Sequence, residues 1–181
     1  MNTPNKLTLI RIVMIPIFLI LLYWNFPGNR YVALGVFIIA SITDALDGYL
    51  ARRRSQITDF GKFMDPLADK LLVLAALIFF VEQWQMPAWV LLIIVAREFA
   101  VTALRLIAVD NGRVIAAGIG GKVKTVTTMV CICVMLTPVA MIWIPLGFSV
   151  NQLCVAAILV TTVWSGIEYF LQNKDVIQWN A

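Results

Sequence analysis

Residues 44–69 read DALDGYLARRRSQITDFGKFMDPLAD and separate two apolar segments, 31–43 and 71–81. Four of the five aspartates in the stretch form two close pairs, Asp44 with Asp47 and Asp65 with Asp69. Spacings of three and four residues place each pair on one face of a helix. At about 4 Å and an effective dielectric near 20, each like-charge pair would cost roughly 4 kcal/mol. We therefore expect a cation to lie between the two faces.

The composition around this stretch is that of a membrane protein. Of 181 residues, 61% are hydrophobic and 13% are charged, whereas soluble domains average about 45–50% and about 25%. The chain contains no histidine, which excludes imidazole as a general base or metal ligand. The net charge is +4, but the basic residues are interleaved with apolar runs. We therefore expect a phosphate-rich partner at the cytoplasmic surface and no nucleic acid.

The apolar runs predict an all-α integral membrane protein with six transmembrane helices and a short N-terminal interfacial helical segment. The predicted spans are 12–24, 31–50, 60–80, 88–109, 125–144 and 148–171. We expect Pro138 to kink the fifth span. A cleaved signal peptide is the alternative for the first run, but no Ala-x-Ala-like site follows it. We interpret residues 1–181 as a single membrane domain.

Lysine and arginine are distributed unequally between the predicted loops. If both termini lie on one side, the opposite short loops contain Arg30 alone. The basic residues on the first side are Lys6, Arg11, Arg52, Arg53, Arg54, Lys62, Arg113, Lys122, Lys124 and Lys174. The positive-inside rule makes that side cytoplasmic. The four aspartates are therefore expected to face the cytoplasm.

The aspartates suit hard divalent cations. Carboxylates without histidine or cysteine favour Mg²⁺, Mn²⁺ or Ca²⁺, and four carboxylates can neutralise two such ions. Two metals a few ångströms apart suit phosphoryl transfer. The structural alternative is that the aspartates pair with nearby cations at the membrane surface, namely Arg52, Arg53, Arg54 and Lys70. The three cysteines, Cys131, Cys133 and Cys154, lie in apolar runs, and we assign them neither a disulfide nor a metal.

The spacing Asp44-x2-Asp47-Gly48-x2-Ala51-Arg52-x8-Gly61-x3-Asp65-x3-Asp69 resembles the signature of the CDP-alcohol phosphotransferase family. The resemblance implies a six-helix membrane enzyme, usually a homodimer. Such an enzyme transfers a substituted phosphate from a CDP-linked donor to an alcohol and releases CMP. The resemblance also implies that the four aspartates hold two divalent cations, Mg²⁺ or Mn²⁺, and that Asp69 is in addition the catalytic base for the acceptor hydroxyl.

The same resemblance implies a set of donor-binding residues, Asn5, Thr8, Gly48, Arg52 and Thr58. The N-terminal Pro4-Asn5-x-Leu7-Thr8-x2-Arg11 resembles the donor-binding entry segment of the family. Other interpretations of these residues stay open: Asn5 or Thr8 as a helix cap, and Gly48 with Ala51 as small residues for close helix packing.

The second half of the chain supplies cations for the acceptor, Arg97, Arg105, Lys122 and Lys124. Arg97 and Arg105 are eight residues apart and are expected on one face of the fourth span. The element Gly121-Lys122-Val123-Lys124-Thr125 is not a P-loop. Together with Arg97-Glu98 it resembles the branch of the family that makes phosphatidylglycerophosphate. That resemblance implies CDP-diacylglycerol as donor, sn-glycerol 3-phosphate as acceptor with its phosphate on these four cations, and the inner membrane of a bacterium.

Several alternatives stay open at this point. The arginines would be structural if they pair with Glu98 or Glu168, and the two lysines would be structural if they snorkel to the membrane surface. Serine and inositol phosphate are alternative acceptors for the same donor. From a different class, a divalent-cation transporter would also place carboxylates in a membrane, although it would not require the complete signature.

Overall fold

The computed structural model describes the backbone of residues 3–54, 59–112, 115, 118–145 and 147–174. Side chains are described over the same ranges except for 3–11, 44–54 and 59–69. Most of the described backbone is α-helical. The helices are α1 Thr3–Tyr23, α2 Asn29–Arg54, α3 Asp59–Glu82, α4 Ala88–Asp110, α5 Ile119–Met135 and α6 Val150–Gln172. The described part contains no β-strand, only an isolated bridge between Trp143 and Ser149, and the predicted all-helical class is confirmed.

The chain divides into two compact units. The first contains Met1–Glu82 together with Leu136–Pro138. In this unit α1 packs against α2 and α3, and Phe18 on α1 and Phe37 on α2 are fully buried with their ring centroids 5.8 Å apart. The last residue of α1, Tyr23, donates a hydrogen bond to Glu82 at the end of α3. These contacts fix α3, whose first half carries Asp65 and Asp69, beside α1.

The second unit contains Gln83–Met135 and Val139–Ala181. Here α4 and α5 both pack against α6, and glycines allow the close approach. A Cβ placed on Gly120 of α5 would lie 3.3 Å from Ser165 Cα, and a Cβ placed on Gly166 of α6 would lie 3.3 Å from Arg97 Cγ of α4. Helix α6 therefore supports both neighbours at positions where a larger side chain would force the adjacent helix or side chain to shift.

Helix α6 has a well-defined start and a membrane-spanning length. Ser149 Oγ accepts a hydrogen bond from the Gln152 backbone N–H at 3.2 Å, and Gln152 Oε1 accepts one from the Ser149 N–H at 3.0 Å. This reciprocal pair is a capping box. Within the described residues, α6 alone has both the length and the apolar sequence to cross a membrane, while 12–23 and 29–43 are shorter apolar stretches. Six spans therefore stay a prediction.

The fifth predicted span, 125–144, is wrong at both ends. Helix α5 covers Ile119–Met135, and Pro138 starts a turn of 3₁₀-helix, Pro138–Met141, instead of kinking a continuous helix. Proline has no N–H to donate and restricts the residue before it, so the α-helix ends ahead of it. At the other end, α5 begins six residues before the predicted span, so Gly120 and Gly121 lie in its first turn.

The N-terminal segment also differs from the prediction. A short interfacial segment was expected before a span that begins at Ile12, but α1 runs without a break from Thr3 to Tyr23, with Pro16 inside it. Asn5 and Thr8 both lie within this helix, so the helix does not begin at either residue. A helix of 21 residues is about 32 Å long, and its backbone shows no break between the predicted interfacial segment and the first predicted span. The interfacial position of its first residues stays a prediction.

Candidate active site

The backbone places the four aspartates on two neighbouring helices. Asp44 and Asp47 lie in the second half of α2, Asp65 and Asp69 lie in the first half of α3, and α2 and α3 are in contact. The helical repeat keeps the members of each pair on one face of their helix. The side chains of these four aspartates lie outside the described residues, as do those of the predicted donor-binding residues Asn5, Thr8, Arg52 and Thr58. The backbone of the fifth predicted donor-binding residue, Gly48, lies on α2.

The donor set of this stretch fits a divalent metal. Four carboxylates offer hard oxygen ligands in a chain without histidine, the combination that Mg²⁺ and Mn²⁺ prefer. Among the side chains that the structure describes, no three Asp, Glu or Cys residues form a candidate metal site. The four aspartates are not among those side chains, so they stay the predicted metal ligands.

A second polar cluster is described in full, and it joins α4 to α5. Glu98 Oε1 accepts a hydrogen bond from Arg97 Nη1 at 3.0 Å and another from Lys124 Nζ at 2.7 Å. The side chains of Arg97, Lys124 and Glu98 are 12%, 9% and 26% exposed. We call these three residues the Glu98 triad. Because they are largely shielded from water, their interaction is stronger than that of an exposed ion pair.

Arg97 is held in place by its surroundings on α5 and α6. Its stem passes Gly166, where a Cβ would lie 3.3 Å from Arg97 Cγ, and its Nη2 atom lies 3.9 Å from where a Cβ on Gly121 would be. The Nε atom is buried and has no hydrogen-bond partner among the described residues. A buried donor without a partner costs free energy. The guanidinium therefore keeps donor capacity that Glu98 does not use.

An apolar groove of about 520 Å³ runs between α4 and α6. Its lining includes Ala96, Arg97, Ala100, Thr162 and Gly166. Thr162 is fully buried, and its Oγ1 atom has no hydrogen-bond partner in the described part of the chain. Arg97 therefore belongs both to the polar triad and to the wall of an apolar groove.

The other two predicted acceptor cations are placed differently. The guanidinium carbon of Arg105 lies 6.0 Å from the ring centroid of Tyr169, at the outer limit of a cation–π contact. Lys122 is exposed in the first turns of α5. Both arginines approach α6, Arg97 at Gly166 and Arg105 at Tyr169, as expected of two residues on one face of α4. The structure thus brings Arg97 and Lys124 together through Glu98, with Arg105 and Lys122 outside the triad.

Of the two acidic residues considered as partners for the arginines, Glu98 forms the pair. Glu168 instead lies against the start of α5, where a Cβ on Gly120 would overlap its Oε2 atom. Its Oε1 atom accepts a hydrogen bond from Gln172 Nε2 at 3.2 Å. A carboxylate at a helix N-terminus is favoured by the helix dipole. Glu168 therefore stabilises the start of α5.

The sequence alone did not show that one carboxylate joins Arg97 to Lys124. One sequence feature does indicate a paired carboxylate here: Glu98 is an acidic residue inside a predicted span, and such residues need a partner. The sequence places Arg97 beside it but leaves Lys124 26 residues away. Only the packing of α4 and α5 on α6 brings that lysine within reach.

The sequence model of the CDP-alcohol phosphatidyltransferase family matches residues 1–164. The chain belongs to this family. A CDP-diacylglycerol–glycerol-3-phosphate 3-phosphatidyltransferase from Bacillus subtilis is 43% identical over 98% of this chain and 97% of the relative. A probable phosphatidylglycerophosphate synthase from Mycobacterium tuberculosis is 41% identical over 93% of this chain and 79% of the relative. A CDP-diacylglycerol–glycerol-3-phosphate 3-phosphatidyltransferase from Pseudomonas fluorescens is 39% identical over 93% and 88%.

Membership in the CDP-alcohol phosphatidyltransferase family confirms the resemblance predicted from residues 44–69. The matched residues include the aspartates on α2 and α3 and the whole Glu98 triad on α4 and α5, and the match ends within α6. The signature and the Glu98 triad therefore both lie within the residues that the family model matches.

Proposed function

We propose that this chain transfers the phosphatidyl group of CDP-diacylglycerol to sn-glycerol 3-phosphate, giving phosphatidylglycerophosphate and CMP. The observation that carries the proposal is the complete aspartate signature on α2 and α3 within a family match over residues 1–164. Relatives similar over nearly their whole length have the name of this enzyme. The reaction is a step of phosphatidylglycerol and cardiolipin synthesis.

The aspartate stretch is the proposed metal and donor site. Asp44, Asp47, Asp65 and Asp69 hold two divalent cations, Mg²⁺ or Mn²⁺, as their hard oxygen ligands favour. When bound, such ions offset the charge of a pyrophosphate and of the CMP that leaves it. The cytidine diphosphate of the donor is bound by residues on α1, on α2 and before α3, namely Asn5, Thr8, Gly48, Arg52 and Thr58.

Asp69 has a second role in the proposed reaction. Its carboxylate accepts the proton of the 1-hydroxyl of glycerol 3-phosphate. The hydroxyl oxygen forms a bond to the phosphorus that carries diacylglycerol, and the bond from this phosphorus to the CMP oxygen breaks. The electron pair of the broken bond leaves with CMP. We favour this direct displacement because the chain has no obvious independent nucleophile.

The proposed acceptor site lies in the second unit. Arg97, Arg105, Lys122 and Lys124 bind the phosphate of glycerol 3-phosphate. The Glu98 triad supports this assignment, because it presents two shielded cations with one shared anion. Charged hydrogen bonds to a phosphate are among the strongest polar contacts in proteins. Serine has no phosphate, so a serine acceptor would give these cations no phosphate group to bind.

The proposed setting is the inner membrane of a bacterium, crossed by six helices, with a homodimer as the assembly. Helix α6 is long enough and apolar enough to span. In the turns before α4 and α6, Trp84 and Trp143 are 96% and 68% exposed, and tryptophan is enriched where a chain enters the membrane surface. These turns belong to the predicted non-cytoplasmic side. Both termini and the aspartates face the cytoplasm in this arrangement.

An acceptor panel tests the proposed function. Purified protein in detergent micelles with CDP-diacylglycerol and Mg²⁺ should release CMP with glycerol 3-phosphate and form phosphatidylglycerophosphate. Release with serine or inositol phosphate but not with glycerol 3-phosphate would replace the proposed acceptor. Uptake of divalent metal into liposomes by a protein that does not turn over CDP-diacylglycerol would point to the transporter instead.

A further inference from the structure

Glu98 is an acidic residue among the cations that the proposed function assigns to the acceptor. Its Oε1 atom accepts one hydrogen bond from Arg97 Nη1 at 3.0 Å and one from Lys124 Nζ at 2.7 Å. Two cations share this one carboxylate, so the Glu98 triad keeps one net positive charge. A purely structural ion pair would cancel its charges, whereas this arrangement leaves charge available for an anion.

The triad also keeps hydrogen-bond donors. A guanidinium has five N–H groups and an ammonium has three, and the described contacts with Glu98 use one of each. Arg97 Nε is buried without a hydrogen-bond partner in the described part of the chain. Arg97 Nη2 lies near Gly121, in the first turn of α5. An anionic oxygen that reaches these donors would satisfy a group that the protein alone leaves unpaired.

The position of both cations depends on Glu98. Arg97 comes from α4 and Lys124 comes from α5, and both touch the same oxygen atom, so the two cations lie side by side. Only 12% and 9% of their side chains are exposed, and like charges repel more strongly where water is excluded. Without the carboxylate between them, the two side chains would separate.

We propose that Glu98 is a positioning residue that holds Arg97 and Lys124 side by side for the phosphate of the acceptor alcohol. The inference rests on the proposed function, because its ligand is the phosphate monoester of that reaction. Arginine offers a planar fork of donors and lysine a point charge. Glu98 thereby contributes to the selection of phosphorylated over uncharged alcohols.

The test compares the whole protein with three variants in detergent micelles. Glu98→Gln keeps the size of the side chain and removes its charge, while Glu98→Asp keeps the charge on a shorter stem. Asp110→Asn is the matched control, because it removes one negative charge from an exposed residue at the end of the same helix. For each protein we would measure the KM for glycerol 3-phosphate, the KM for CDP-diacylglycerol, kcat, and the shift in melting temperature that glycerol 3-phosphate produces.

We expect Glu98→Gln to raise the KM for glycerol 3-phosphate by roughly tenfold, the effect of about one charged hydrogen bond, with the KM for the donor within about twofold. Glu98→Asp should recover part of the loss, and Asp110→Asn should match the wild type. The melting-temperature shift with glycerol 3-phosphate should be present in the wild type and reduced in Glu98→Gln.

Two results would overturn the role of Glu98. One is an equal change in both KM values together with a lower melting temperature, as a structural role would produce. The other is a ligand shift that is the same in wild type and Glu98→Gln, or absent from both. Failure of the proposed function shows itself separately, as a wild-type protein that makes no phosphatidylglycerophosphate, and the melting-temperature shift still decides whether Glu98 positions an anion site.

Discussion

Replacement of Gly120 by alanine tests the close approach of α5 to α6. A Cβ at this position would overlap Glu168 Oε2, lie 3.1 Å from Glu168 Cδ and lie 3.3 Å from Ser165 Cα. The Glu168 carboxylate can swing away, but Ser165 Cα is backbone. The two helices would therefore have to separate by a few tenths of an ångström, and Glu168 would lose its place at the start of α5.

The neighbouring glycine provides a matched control for the size of the effect. Overpacking costs about 1–3 kcal/mol, and a helical Gly→Ala change gains about 0.5–1 kcal/mol through the backbone. At Gly121 the nearest atom to a new Cβ is Arg97 Nη2 at 3.9 Å, which is an ordinary contact. Gly121→Ala should therefore gain the backbone stabilisation without any cost from overpacking. The two variants should therefore differ by about 1–3 kcal/mol, or about 2–12 °C in melting temperature.

Buried cysteines provide the assay. Cys131 on α5 and Cys154 on α6 are free and buried, whereas Cys133 is free and half-buried. In a Cys133→Ser background, reaction of the two buried thiols with a thiol-specific fluorescent dye therefore reports when these helices open. On heating in detergent, Gly120→Ala should become reactive at a lower temperature than Gly121→Ala. A melting temperature for Gly120→Ala equal to or above that of Gly121→Ala would refute the close-packing argument.

Three further predictions concern the helix cap, the acceptor cations and the metals. Ser149→Ala removes half of the capping box of α6 and should lower the free energy of unfolding by about 1 kcal/mol; an unchanged melting temperature would contradict this. Lys124→Ala, which removes a buried partner of Glu98, should raise the KM for glycerol 3-phosphate more than Lys122→Ala does, and neither change should alter the KM for the donor as much. A larger rise in this KM for Lys122→Ala than for Lys124→Ala would indicate that the phosphate binds outside the Glu98 triad. Chelation with EDTA should abolish CMP release and added Mg²⁺ or Mn²⁺ should restore it; full activity after chelation would exclude a metal-dependent reaction.

Much of the fold followed from hydrophobic patterning. Long apolar runs bounded by turns predicted six helices, and the turn around Gly28 marked the boundary between α1 and α2 because it contains a proline and a glycine, the latter with a φ of +83°. The errors arose where apolar composition continues past a helix end. Residues 136–144 are as apolar as a span, but Pro138 ends the α-helix. Gly120, which precedes the predicted span 125–144, instead lies inside α5 and packs against α6.

The part of the candidate site that lies within one stretch of sequence could be predicted from the spacing of its residues. Asp44 to Asp69 form a pattern within 26 residues, so one stretch of sequence predicted the family that the comparison confirmed. The Glu98 triad depends instead on residues from two helices that meet only through packing on α6. Gly166 could not be linked to Arg97 from sequence either, because its role is to leave room for a side chain 69 residues away.

The most direct test of the central claim is the transfer of isotope-labelled glycerol 3-phosphate into lipid by the purified protein. With CDP-diacylglycerol and Mg²⁺, the label should enter the lipid fraction with one CMP released for each labelled lipid. Asp69→Asn protein with a wild-type melting temperature should transfer almost none. CMP release without labelled lipid, or near-normal transfer by Asp69→Asn, would contradict the proposed reaction or the proposed role of Asp69.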